Sequence, residues 1–297
     1  VTALTPAPAV TRYAPSPTGH LHLGHVVNAI YVWGLARRAG GRVLLRLEDH
    51  DRQRSRPEFE RSILDDLDWL GFEPDGPASR QSDRSALYRE QLERLRAVNL
   101  AYACSCSRRE MALAAPARPG EETRYPGTCR DRHLDWRPGL SWRIRLGEEP
   151  VQFRDGRLGP QRQVPADQCG DLQAMDRLGN WTYQFAATVD DYLMGIDLVI
   201  RGEDLLPSTG RQILLAELLG RPAPAAFLHH PLILKPGGQK LSKAARDSGI
   251  RELRSQGRSP ALVLGMAASA VGLVEEEREL QHSELSSLFP HLFAQPT

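Results

Sequence analysis

Two histidines flank a glycine in His22-Leu23-Gly24-His25, just after the turn-rich string Arg12-Tyr13-Ala14-Pro15-Ser16-Pro17-Thr18-Gly19. An extended segment, a glycine turn and a helix form the phosphate-binding arrangement of nucleotide folds. The helix start aims unpaired N–H groups and a positive dipole end at an anion. Gly24 lets a nucleotide lie against the backbone. His22 and His25 can donate to phosphate oxygens as charge develops there. Far along the chain, Pro236-Gly237-Gly238 leads into Lys240-Leu241-Ser242-Lys243-Ala244. Lys240 and Lys243, on a glycine-flanked loop, can close over a triphosphate, and Lys243 is expected to make the main contact. Taken singly, each motif reads more plainly as a helix start with surface histidines or as an exposed basic loop. Their combination argues for a nucleotide site.

A second group of residues suits a free amino acid. Such a ligand needs a cation for its carboxylate, an anion for its ammonium and a third group for its side chain. Arg12 and Arg201 can bind carboxylates through two parallel hydrogen bonds. Glu48 is the candidate for the ammonium, and Tyr183 offers a hydroxyl. Any one of these arginines alone could be a surface ion pair worth about 0–1 kcal/mol.

The cysteines supply the third group. Cys104-Ser105-Cys106 and Cys129 offer three thiolates, which suit zinc in a tetrahedral structural site. General chemistry makes His133, four residues past Cys129, the candidate fourth ligand. The plainer alternative is three buried cysteines without metal. Cys169 has no visible partner and reads as structural.

Elements must carry these residues. A helix over 26–36 follows the histidine motif. Residues 42–47 alternate and are β-rich, and end in Glu48-Asp49-His50-Asp51, where open α/β sheets bind ligands. Residues 57–70 and 88–98 read as helices, with Gly71 ending the first. Residues 100–137 hold three of the four cysteines without a sustained apolar period and read as an insertion. Short strands are expected at 141–146 and 151–153, a loop over 161–170, and a strand at 172–175. A buried helix over 181–189 ends at Asp190-Asp191. A strand over 197–200, a helix over 209–219, a strand over 227–234 and a helix over 260–271 follow. Strands alternating with helices argue a mostly parallel, helix-covered sheet.

At 297 residues the chain can hold two domains or one large domain with insertions. A net charge of +1 argues against a generic polyanion binder, but arginine clusters such as Arg37-Arg38 allow a local nucleic-acid patch. No segment has the length of a membrane span, and residues 1–10 lack a basic leader before an apolar run. A cytoplasmic protein is expected, with its cysteines reduced or bound to metal.

Pro15-Ser16-Pro17-Thr18-Gly19, the histidine motif and Leu45-Arg46-Leu47-Glu48-Asp49 closely resemble the class I aminoacyl-tRNA synthetases of the glutamyl type. Lys240 to Ala244 resembles their second signature. The resemblance covers residues 11–245. It implies an α/β fold: a Rossmann-like, mostly parallel sheet with helices on both faces, an inserted zinc module and a short C-terminal helical part. The corresponding divisions are 1–99, 100–170, 171–245 and 246–297. It implies catalytic roles for His22, His25, Lys240 and Lys243, and ATP contacts from His22, Gly24, His25 and Lys243. Glutamate contacts would come from Arg12, Ala14, Ser16, Glu48, Tyr183 and Arg201.

The short paralogues of this family carry C-x-C followed by Y-x-x-x-C, with the tyrosine as zinc ligand. Tyr125-Pro126-Gly127-Thr128-Cys129 fits that pattern, which places Tyr125 ahead of His133 in a set with Cys104, Cys106 and Cys129. A full glutamyl-tRNA synthetase continues into a long helical anticodon-binding region, and the last fifty or so residues are too few for one. The expectation is therefore the glutamyl-queuosine tRNA(Asp) branch. That branch activates L-glutamate with ATP and Mg²⁺, then transfers it to queuosine in the anticodon loop of tRNA(Asp). A single structural Zn²⁺ and a monomer are expected with it. The rivals are a compact glutamyl-tRNA synthetase, a non-catalytic zinc-containing tRNA-binding module, and a small-metabolite nucleotidylyltransferase. The last would lack the Glu48, Tyr183 and Arg201 set.

Overall fold

Val10–Tyr13 (β1) pairs in parallel with Arg42–Leu47 (β2), and the helix between them, Leu23–Arg38 (α1), lies buried along most of its length. A helix apolar all round must be enclosed, and α1 is the centre of the main core. The structure, a computed structural model, describes residues 9–51, 53–116, 122–233 and 249–290. Pro57–Leu70 (α2) follows, with Pro57 opening it and Gly71 closing it at φ 79°, a left-handed position that suits glycine. Then come Ser79–Arg80 (β3), Ser85–Ala97 (α3), Ala101–Cys104 (β4), Arg108–Ala114 (α4), Ser141–Ile144 (β5), Val151–Asp155 (β6) and Gly159–Gln163 (β7). Pro165–Cys169 (α5), Leu172–Met175 (β8), Tyr183–Leu193 (α6), Leu198–Gly202 (β9), Thr209–Leu218 (α7) and Ala226–His230 (β10) complete the α/β body. Ile250–Ser255 (α8), Pro260–Ala270 (α9) and a 3₁₀ turn at His282–Leu288 pack back on it.

The strands form three sheets, ordered β1-β2-β3, β7-β6-β10-β9 and β4-β5-β8. β1, β2 and β3 run parallel, as do β9, β10 and β6. The first two sheets meet where the Asp197 N–H donates to the Val10 carbonyl at 3.0 Å and the Val10 N–H donates to the Asp197 carboxylate at 2.7 Å. Along β9, Leu198 and Ile200 join the core around α1 while Val199 joins Phe227 in a separate cluster, so both faces are covered. The third sheet is antiparallel and carries the cysteine region. Among the described residues no helix is long and apolar enough to cross a membrane.

Several expectations need correction. Residues 161–170 are not a loop: β7 runs through Gln163 and α5 spans Pro165–Cys169. The strand is polar because it pairs only with β6, as an edge, and so shows no apolar alternation. The last strand ends at His230, and the rest of the expected 227–234 segment is not strand through residue 233. The helix expected over 26–36 starts at Leu23, because the histidine motif is itself the helix cap.

Candidate functional site

His22 is the N-cap of α1. Its Nδ1 accepts the Gly24 N–H at 3.1 Å, and His25 Nδ1 accepts the His22 N–H at 3.1 Å. With both Nδ1 atoms accepting, each neutral ring carries its proton on Nε2. The two rings, 4.0 Å apart, are thus a pair of Nε2–H donors at a helix N-terminus. A side chain on Gly24 would meet the His22 ring at 2.9 Å, so glycine is needed for the cap as well as for access. Lys240 and Lys243 lie outside the described residues.

The strand-end cluster is organised by a residue the sequence argument passed over. Arg46 is fully buried. Its Nη1 donates to Asp191 Oδ1 at 2.6 Å and its Nη2 to Glu48 Oε1 at 3.1 Å, and its Nε lies 3.8 Å from Asp190 Oδ2. Arg12 Nε donates to the same Asp191 oxygen at 3.0 Å, and its Nη1 to the Ile200 carbonyl at 3.2 Å. Burial alone would raise the Asp191 pKa, but Arg12 and then Arg46 outweigh it and hold the carboxyl down at about 2. Ser16 Oγ donates to the Glu48 carbonyl at 3.1 Å, and the Glu48 N–H to the Pro15 carbonyl at 3.0 Å. The Ala14–Ser16 loop is thereby laced to the end of β2. Asp190 and Asp191 belong to α6, which runs to Leu193 rather than ending at Val189.

Arg201 is handled differently. Its Nε donates to His229 Nε2 at 3.1 Å, its Nη1 to Gln212 Oε1 at 2.5 Å and to the Tyr183 hydroxyl at 3.4 Å, and its Nη2 to Thr209 Oγ1 at 2.8 Å. His229 Nδ1 is 2.6 Å from Asp155 Oδ2, so it donates there and leaves Nε2 as the acceptor. Burial lowers the His229 pKa and so disfavours its charged form. Among the described residues, Arg201 therefore has neutral partners and no ion pair, though it is 3% exposed. Burial lowers its pKa. An uncompensated buried guanidinium is expensive, and an anionic ligand is what would offset it. Asp155, Thr209, Gln212 and His229 were not identified from sequence. The adjacent His229-His230 pair in a strand was the only available hint.

The Sγ atoms of Cys104, Cys106 and Cys129 lie within 4.8 Å of one another and could hold a metal ion. The Tyr125 hydroxyl is 3.4 Å from Cys104 Sγ, and Cys106 Sγ is 3.6 Å from Cys129 Sγ. Bonds of the usual zinc lengths give tetrahedral edges of about 3.4–3.8 Å, so this spacing fits a metal. Burial, then Cys104, push the Cys106 thiol up to about 12. Burial likewise opposes ionisation of Cys129, but hydrogen bonds led by Ser105 outweigh it and bring that thiol to about 6. Several thiolates crowded together need a cation. His133 is exposed, with φ 49°, and is not in the cluster.

Residues 8–289 match the family of tRNA synthetases class I (E and Q), catalytic domain. The chain is 43% identical to the glutamyl-Q tRNA(Asp) synthetase of Symbiobacterium thermophilum, covering 94% of this chain and 91% of that one. It is 41% identical to the glutamyl-Q tRNA(Asp) synthetase of Rhodobacter capsulatus, covering 85% and 97%. Among solved structures it is similar to a glutamate tRNA ligase from Elizabethkingia meningosepticum in complex with its amino acid, with TM-score 0.78 and 29% identity. That match covers 94% of this chain but 64% of the ligase, under two thirds of its length.

Removing the shared anion tests the strand-end cluster. Asp191→Asn leaves two buried guanidiniums short of a partner and is expected to cost about 3–5 kcal/mol at pH 7, read by urea unfolding. Folding holds this carboxyl below its unfolded value of about 3.9, so its contribution is complete above that range. The gap between wild type and variant should therefore narrow as pH falls from 4 toward about 2. A gap independent of pH would show that the carboxylate charge is not what the cluster uses.

Proposed function

The chain belongs to the catalytic-domain family of class I tRNA synthetases for glutamate and glutamine, and from that premise we propose that it activates L-glutamate with ATP and transfers the glutamyl group to the queuosine base in the anticodon loop of tRNA(Asp). The observation that carries the activation half is Arg201, a buried cation whose hydrogen-bond partners among the described residues are all neutral groups. Glutamate brings two carboxylates, and Arg201 and Arg12 are the two cations for them. Among the described residues Arg12 makes its hydrogen bonds through Nε and Nη1, which would leave Nη2 to a ligand. A site with excess positive charge favours glutamate over its neutral amide. Glu48, oriented through Oε1 by Arg46, meets the ammonium. Tyr183 borders the side chain, and Ala14 and Ser16 form the loop beneath.

In the first step a glutamate α-carboxylate oxygen attacks the α-phosphorus of Mg²⁺-bound ATP in line, and pyrophosphate leaves. His22 and His25 supply Nε2–H donors where phosphate charge grows, beside Gly24 and the α1 N-terminus. Lys240 and Lys243 are assigned the triphosphate on their sequence pattern. In the second step a hydroxyl of the queuosine cyclopentene diol attacks the acyl carbon, and AMP leaves. Relatives of matching length bear the name of that transfer, which supports the queuosine acceptor over a tRNA 3′ end. A splayed anticodon-loop base can be read on its edges as a single-stranded acceptor is. The cytoplasm, where mature tRNA resides, is the expected compartment.

We assign one structural Zn²⁺ to Cys104, Cys106, Cys129 and Tyr125. When bound, it would neutralise the crowded thiolates and pin the strand β4 to the 125–129 turn. Arg143 stacks 3.7 Å from the centre of the Tyr125 ring. Burial, then Cys104, raise the Tyr125 pKa, so a bound metal would be what holds this side chain as a phenolate.

Transfer of labelled glutamate to tRNA(Asp), with and without queuosine and beside tRNA(Glu), tests the acceptor. Label on queuosine-containing tRNA(Asp) that survives periodate treatment of the free 3′ end is expected. Label on tRNA(Glu) that periodate abolishes would assign a compact glutamyl-tRNA synthetase instead. Arg201→Lys keeps the charge but loses the fork, and should raise the KM for glutamate in pyrophosphate exchange by about tenfold or more, with ATP binding unchanged. Equal losses in both would make Arg201 a folding residue. Metal analysis should find about one zinc per chain in wild type and in His133→Ala, and weakened retention against a chelator in Tyr125→Phe. The reverse pattern would move the fourth ligand to His133.

A further inference from the structure

A cavity of about 470 Å³ opens between the end of β2, the start of α6 and α4. It is lined by His50, Arg108, Arg177, Trp181 and Thr182 among others. His50 lies two residues beyond Glu48, and Thr182 immediately precedes Tyr183, so the cavity adjoins the proposed glutamate site. The arginines offer cations for phosphate, Asp51 and Asp176 on the same lining can accept from hydroxyls, and Trp181, stacked on Phe185, forms part of the wall.

The tautomer of His50 is set by a chain of buried groups. The Asp190 carboxylate accepts from Arg84 Nε at 2.5 Å, the Tyr88 hydroxyl at 2.7 Å and Gln81 Nε2 at 2.8 Å. Since Gln81 turns its NH₂ to that carboxylate, its carbonyl oxygen faces His50. His50 Nδ1 lies 2.6 Å from Gln81 Oε1 and must therefore donate. In the neutral ring, Nε2 then carries the lone pair. Among the described residues Nε2 has no hydrogen-bond partner. His22 and His25 present the opposite tautomer, a proton on Nε2. The molecule thus holds two donor histidines at the nucleotide corner and one acceptor histidine at the neighbouring cavity.

We infer that His50 is the general base of the transfer step, with the acceptor hydroxyl entering through this cavity. This rests on the function proposed above. As the diol oxygen forms its bond to the glutamyl carbonyl carbon, its proton passes to His50 Nε2. The bond from that carbon to the adenylate oxygen breaks, and AMP leaves with the electron pair. The His50 proton then returns to solvent, with a glutamyl ester and AMP as products. Gln81 is a positioning residue, since it acts through His50. Activation removes no proton from a hydroxyl, so it has no use for this base.

The test separates the two half-reactions. Enzyme loaded with glutamyl-adenylate is mixed with queuosine-containing tRNA(Asp) in a single turnover, and pyrophosphate exchange is measured beside it. His50→Ala is expected to slow transfer by about 10²–10⁴-fold while exchange stays within about twofold of wild type. Added imidazole should restore part of the transfer rate in proportion to its concentration, which a merely structural histidine would not permit. Transfer in His50→Ala at the wild-type rate would overturn the inference and leave the proton to a phosphate oxygen of the adenylate. Loss of exchange and transfer together, without rescue, would overturn it in favour of a packing role. Failure of the wild type to label tRNA(Asp) would instead overturn the function on which it rests.

Discussion

The carboxylate of Asp191, shared by Arg12 and Arg46, is the interaction on which the site depends. Arg46 comes from β2, Arg12 from β1 and Asp191 from α6, so one anion ties three elements from both halves of the body. Two guanidiniums at its oxygen would repel each other without it. In a fully buried setting each charge has lost its hydration, and pairing is all that compensates. The same Arg46 also orients Glu48, and Asp190, one residue back on α6, orients Gln81. The last turn and a half of α6 therefore reaches both the proposed ammonium contact and the cavity histidine.

Against this compensated cluster, Arg201 stands out by what surrounds it. The fold supplies four neutral acceptors and withholds a carboxylate within ion-pair distance among the described residues. The contrast has an electrostatic logic. Arg46 has its charge balanced inside the protein, which makes it a fixed strut. Arg201 has no ion pair among the described residues, which suits the receptor role proposed for it. Its neutral shell still fixes the fork's orientation, so a carboxylate need not reorganise it on binding. Asp155 contributes at one remove, by settling which nitrogen of His229 can accept.

Legibility from sequence followed the range of the interactions. α2 was read with its true ends, because Pro57, an amphipathic period and Gly71 are all local signals. β2 and β8 were read equally well from short β-rich runs. The cysteine cluster was legible from C-x-C spacing; the Tyr125 hydroxyl lies beside it, while the chain turns His133 outward. β7 and α5 were missed because an edge strand of Gly, Pro, Gln and Arg has no apolar rhythm to detect. Arg46 was quoted within a motif without a role, since its partner is 145 residues away and no local pattern connects them. His50 and Gln81 escaped for the same reason: a tautomer is a property of a hydrogen-bond chain, not of a residue type.

The tautomers would also give the two proposed half-reactions a division of labour. Phosphoryl chemistry needs donors to growing negative charge, and the helix cap supplies them, because an Nδ1 that accepts backbone N–H groups forces the proton onto Nε2. The proposed acyl transfer to a hydroxyl needs an acceptor for a proton, and the Asp190–Gln81 relay would supply it by forcing the opposite arrangement on His50. Each assignment needs only a neighbour that fixes one nitrogen of the ring. α6 lies between the two functions. Its N-terminus, with Thr182 and Tyr183, borders the cavity and the Arg201 fork. Its C-terminal turn carries the two aspartates that hold the other side. One helix therefore bears groups at both of the proposed half-sites, which ties their relative placement to its packing.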